Sequence, residues 1–213
     1  MYSALKFLTI VAIVIAMVAI GPQSLLKANA EQQSAVAPYL LIHKAVIQQS
    51  GLNAAIFTGG MVPKDGSGGA FGYGILTDQF PNAVIVSTTH EGVQDSVTQG
   101  RGSGPIWHNH FVKLGHVVGS PCGNNPEMVE VLQITYQQPG RIAVEGNIVA
   151  LQGVPPTLKG TDALHNMAPL VLSPGHKVTG VVSFTLDPKM QGGQPHVCVE
   201  NIRSAPPQAI IIK

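Results

Sequence analysis

After Gly51 the hydrophobic positions come in short bursts, and Gly, Pro, Ser and Asn stand between them. AAIFTGGMV falls within residues 53–62, NAVIVSTTH begins at Asn82, and PIWHNHFV begins at Pro105. HKVTGVVSFTLDP starts at His176, HVCVENI at His196, and QAIIIK closes the chain. None of these runs sustains a 3.6-residue period, and all are rich in β-branched residues bounded by turn formers, so each reads as a strand. PYLLIHKAVIQQ (38–49) fits a helix or a strand, and its β-branched content favours the strand. PKDGSGGAFGYG (63–74) reads as a flexible loop running into a glycine-weakened strand edge. Residues 127–153 predict two strands joined by a tight turn at Gln138-Pro139-Gly140, and the Pro-rich stretch 154–174 predicts a long connection without periodicity. The fold class that follows is all-β: an antiparallel sandwich or partly closed barrel with long Gly/Pro-rich loops.

The first thirty residues stand apart from this pattern. Lys6 precedes an uncharged apolar run, Phe7–Ile20, which Gly21-Pro22 breaks before the small-residue end Ala28-Asn29-Ala30. That is the layout of a secretory signal peptide cleaved after Ala30. Fourteen helical residues rise only about 21 Å, short of a hydrocarbon core of roughly 30 Å. An uncleaved anchor is the alternative, and it is the one route by which the sequence predicts membrane association. The mature chain, residues 31–213, is then a single β-rich domain, located in the periplasm, at the cell surface or outside the cell.

Composition narrows the partners. Without Lys6 and Lys27 the chain carries ten basic and eleven acidic residues, with no basic cluster. Nothing supplies the positive stripe that nucleic acid requires or the polybasic patch that anionic lipid requires. The two cysteines, Cys122 and Cys198, both lie in the exported part, so an oxidising compartment predicts a disulfide between them. Two free thiols, one of them a metal ligand, are the alternative.

Histidine carries the candidate chemistry. On a strand through Trp107–Val112, side chains alternate, so His108 and His110 share one face while Trp107, Asn109 and Phe111 share the other. The Trp/Phe face reads as the core face. Two imidazoles at i and i+2 stand roughly 6–7 Å apart along the strand, close enough to converge on one zinc or copper ion. Further ligands must come from elsewhere. His90 ends the preceding strand, Gly115 permits a turn that returns His116, and a Cys122–Cys198 bridge would draw His196 toward the cluster. His43, His165 and His176 read as solvated or hydrogen-bonded residues.

Other site patterns fit less well. Neither cysteine has the downstream His and Met of a blue-copper loop, and Lys113–Gly115 replaces the glutamate expected after a cupin H-x-H. The layout of His108, His110, Cys122 and Cys198 loosely resembles that of the copper/zinc superoxide dismutases, which also have a β-sandwich, an H-x-H strand and a disulfide to a late strand. Their spaced His/His/His/Asp zinc loop is not visible, so their activity is not carried over. His90 with Glu91, or His108 with Asp95, would suit a metal-free base and its orienter, but no activated nucleophile accompanies them. The competing expectation is a non-catalytic surface or periplasmic binding domain without metal.

Overall fold

The computed structural model describes residues 36–213 apart from 92–93, 99–105, 124–127 and 176. The expected signal sequence at 1–30 and the histidine at 176 therefore lie outside the described residues. Ala37–Lys213 forms one compact unit built of strands. They are β1 (Ile42–Gln48), β2 (Asn53–Thr58), β3 (Phe71–Thr77), β4 (Val84–Thr89), β5 (His108–Gly115), β6 (Val129–Ile134) and β7 (Arg141–Glu145). After these come β8 (Ile148–Gln152), β9 (Leu158–Thr161), β10 (Pro169–Leu172), β11 (Val178–Gln191), β12 (Gln194–Ser204) and β13 (Ile210–Ile212).

Six of these strands close into a barrel in the order β11-β12-β6-β5-β4-β3, every neighbouring pair antiparallel. A second sheet, β13-β1-β2-β8-β7, packs on the outside of the barrel wall. Two hydrogen bonds fasten that contact: Tyr73 donates to the Tyr39 carbonyl at 2.6 Å, and Ser183 to the Leu40 carbonyl at 2.6 Å. The barrel wall thus has two buried faces. Outward-pointing Phe71, Tyr73, Ile75, Ile85 and Phe111 are each no more than 1% exposed, while Val84, Val112, Val182 and Phe184 belong to a separate core cluster inside the barrel. Closure explains why β4 reads as VIVSTT rather than as a clean alternation: both sides are covered, so no position needs to be polar for water's sake.

The all-β reading and the strand at 42–48 agree with the structure, and the bridge between Cys122 and Cys198 is present. Three local expectations change. β3 is not an edge but a wall strand between β4 and β11, and its Gly72 is there for space: a Cβ would stand 2.4 Å from the Ser87 carbonyl oxygen. The Gln138–Gly140 turn does not join a hairpin. It carries the chain from the barrel (β6) to the outer sheet (β7), and the hairpin is β7–β8, turning at Gly146 with φ +56°. Finally, the Pro-rich stretch contains a short antiparallel pair, β9–β10, whose buried positions Leu170 and Leu172 are too few to show as a period.

Candidate metal centre

The site forms where β4 ends and β5 begins. Antiparallel pairing sets Thr88 opposite His108 and Val86 opposite His110, so the residue after β4, His90, arrives beside the two strand histidines. The rings meet edge to face: His90 and His108 centroids are 4.9 Å apart and His108 and His110 centroids 4.8 Å. Into this group the loop after β4 brings Asp95. That loop is tied to the end of β6, where Val97 donates its N–H to the Tyr136 carbonyl at 2.9 Å and the Gln94 amide donates to the Tyr136 hydroxyl at 3.2 Å.

Asp95 is the hub. Its Oδ2 lies 3.0 Å from His90 Nε2; its Oδ1 lies 3.2 Å from His108 Nε2 and 3.4 Å from His110 Nε2. His108 and His110 are fully buried, and His90 is 8% exposed. The group His90, Asp95 and His108 could hold a single ion. Tetrahedral zinc with bonds near 2.0–2.1 Å places its donors about 3.3 Å apart. Donor atoms of His90, Asp95 and His108 all fall within 4.8 Å of one another.

The other ring nitrogens fix the tautomers. His108 Nδ1 is 2.6 Å from the Ile106 carbonyl and His110 Nδ1 is 2.7 Å from the Thr135 carbonyl. A carbonyl only accepts, so both Nδ1 atoms carry hydrogen, and in the neutral rings both Nε2 atoms present a lone pair. The Thr88 hydroxyl is 3.3 Å from His108 Nε2 and is placed to donate to it. His110 Nε2, wholly buried, has no hydrogen-bond partner. With both rings neutral, two lone pairs face one carboxylate oxygen, an arrangement relieved by a positive charge among them, either a proton on one Nε2 or a bound cation. Histidine metal ligands are held in the same way, one ring nitrogen donating to a carbonyl and the other left for the ion.

Burial alone would raise the Asp95 carboxyl, but the rings of His110, His108 and His90 around it outweigh that and hold it far below the usual carboxylate range. Burial pushes the His108 imidazole down; Asp95 opposes this and the neighbouring His110 and His90 reinforce it, so His108 favours the neutral, ligating form.

The structure brings together His90, His108 and His110 from the histidines singled out in the sequence, but not His116 or His196. His116 is exposed beyond the far end of β5. His196 is placed by the disulfide, yet in the opposite direction from that expected. Cys198 pairs with Glu130, Glu130 pairs with Gly115, and His196 Nδ1 lies 2.5 Å from Glu130 Oε1. Gly115 is seven residues along β5 from His108, about 23 Å of strand. The expectation that the Trp107/Phe111 face is the core face covers half of the structure: barrel closure turns the opposite face inward as well, and His108 and His110 are buried. Asp95 enters as a ligand candidate; the sequence suggests it as an orienter of His108 or as a catalytic carboxylate with Glu91, not as a ligand. Its one signal is that it is one of two acids, with Glu91, in the loop between two histidine-bearing segments. His43 is exposed, and exposed His165 contacts Asp162 at 2.8 Å in a local turn.

Compared with known protein families, curated proteins and solved structures, the chain matches none, the copper/zinc superoxide dismutases included.

Proposed function

We propose that this chain is an exported protein that loses residues 1–30 and binds one transition-metal ion, zinc or copper, through His90, His108, His110 and Asp95. Three imidazoles and a carboxylate suit either metal. The disulfide supports export, because such bonds persist in oxidising compartments. Among the described residues no helix is long and apolar enough to cross a membrane. The single observation that carries the metal reading is the convergence of the His108 and His110 Nε2 atoms, each ring held at Nδ1 by a backbone carbonyl, on Asp95 Oδ1.

The same observation weighs against a metal-free acid–base pair. In such a pair the carboxylate takes one ring nitrogen and leaves the other for substrate. Here the Nδ1 atoms of both His108 and His110 are taken by backbone carbonyls and both Nε2 atoms turn to the same carboxylate, so neither ring stands between a carboxylate and a substrate. Elemental analysis of exported protein, together with zinc and copper titration after chelation, tests the reading. One ion per chain is expected, lost in both His108→Ala and His110→Ala while the fold persists. A wild-type protein that takes up neither metal overturns the reading and leaves a non-catalytic binding domain. Intact mass tests the processing, with a mature N-terminus expected at Glu31.

A further inference from the structure

The barrel is not filled. Its lumen is a cavity of about 200 Å³. The wall is apolar, formed by Val84, Val112, Val131, Val182, Phe184 and Val199 among others. Thr88, His90, Glu91 and Asp95 line the end where β4 finishes, and Ser204 lines the wall. Phe80, in the turn before β4 at the other end, and Ile202 of β12 also line it and are 48% and 43% exposed. Native interiors leave few voids larger than a water molecule, and an apolar cavity of about 150 Å³ stays dry and admits benzene.

We infer that the lumen binds a small apolar molecule, of single-ring size, that carries one neutral hydroxyl, with the hydroxyl directed at His90 and Asp95. The size follows from the volume. The apolar body follows from the wall, which offers no hydrogen bond along most of its length. The head group follows from the polar end, whose carboxylates accept hydrogen bonds and repel anions. A hydroxyl can donate to Asp95; a carboxylate would face two like charges, Asp95 and Glu91. The inference uses two residues of the proposed metal site but stands without the ion.

Three probes of nearly equal shape separate the terms: 4-methylphenol, toluene and 4-methylbenzoate. Binding to chelator-treated protein is measured by calorimetry, and the location by methyl chemical shifts of the lumen valines. The expected result is that 4-methylphenol binds and shifts Val84, Val112, Val131 and Val182, toluene binds at least tenfold more weakly, and 4-methylbenzoate does not bind. Asp95→Asn should bring 4-methylphenol toward the toluene affinity; if that variant does not fold, the wild-type ranking alone decides. The inference is overturned if no probe shifts the lumen methyls, if toluene matches 4-methylphenol, or if 4-methylbenzoate binds most tightly. Zinc titration of probe-free protein judges the metal reading separately, so either can fail alone.

Discussion

The two faces of β5 carry polar groups in equally dry surroundings and treat them in opposite ways. On the outer face Asn109, fully buried, is satisfied on both sides of its amide: its oxygen accepts from Ser87 at 2.7 Å, and its nitrogen donates to the Pro139 carbonyl at 3.2 Å. Trp107 donates to the Pro63 carbonyl at 3.0 Å. On the inner face His108 and His110, equally buried, satisfy only their Nδ1 side in full and direct the rest at a shared carboxylate. A polar group whose capacity is filled by its own chain holds the fold. Polar groups that converge with capacity to spare hold something else.

The largest expected effect lies on the inner face. Asp95→Asn removes the charge on which three rings converge, and stoichiometric zinc should disappear, read by elemental analysis against a folded circular-dichroism spectrum. Survival of full metal in this variant breaks the contrast. On the outer face Phe111→Ala should cost roughly 3–5 kcal/mol in denaturant unfolding, since the ring is fully buried against the second sheet, while metal stoichiometry stays at wild type. Asn109→Leu should cost less, about 1–3 kcal/mol, because it leaves the Ser87 hydroxyl and the Pro139 carbonyl without their partner. A matching His110→Leu, tested without metal, should cost about 1–3 kcal/mol as well, because it leaves the buried Thr135 carbonyl without the His110 Nδ1 donor.

The smallest effect concerns pH. Burial depresses the His108 pKa in the folded protein, whereas the unfolded chain titrates near about 6.5. Below that value the unfolded state takes up a proton that the folded state refuses. The stability contributed by His108 is therefore complete above pH 6.5 and is lost as pH falls from there through the folded value. His108→Gln should flatten that part of the metal-free stability profile, and an unchanged slope would mean that His108 is not held neutral.

Much of this contrast was legible in the chain and one part was not. Alternation in IWHNHFV placed the histidines together and Phe111 opposite them, because a strand has a period of two whatever surrounds it. The pairing of the 82–90 segment with β5, which delivers His90, followed from adjacency. Closure did not follow. A sheet folded on itself buries both faces, and the sequence of one strand does not say which neighbour seals the ring; hence a single core face was expected where the structure has two. Nor did the direction of the disulfide: knowing that Cys122 joins Cys198 leaves open which end of β5 receives His196, and the register with Glu130 decides it. Asp95 lay in a loop, where spacing carries no geometry at all.

The central claim is that the Nε2 atoms of His108 and His110 are bare and meant for one ion. Long-range ¹H–¹⁵N correlation of the histidine rings at pH 7.5, before and after one equivalent of zinc, addresses it directly. Metal-free protein should show hydrogen on Nδ1 alone in both rings, and zinc should move both Nε2 resonances to metal-bound positions at a one-to-one end point. Hydrogen found on Nε2 of either ring in the metal-free protein, or Nε2 resonances that zinc leaves where they were, would contradict the account.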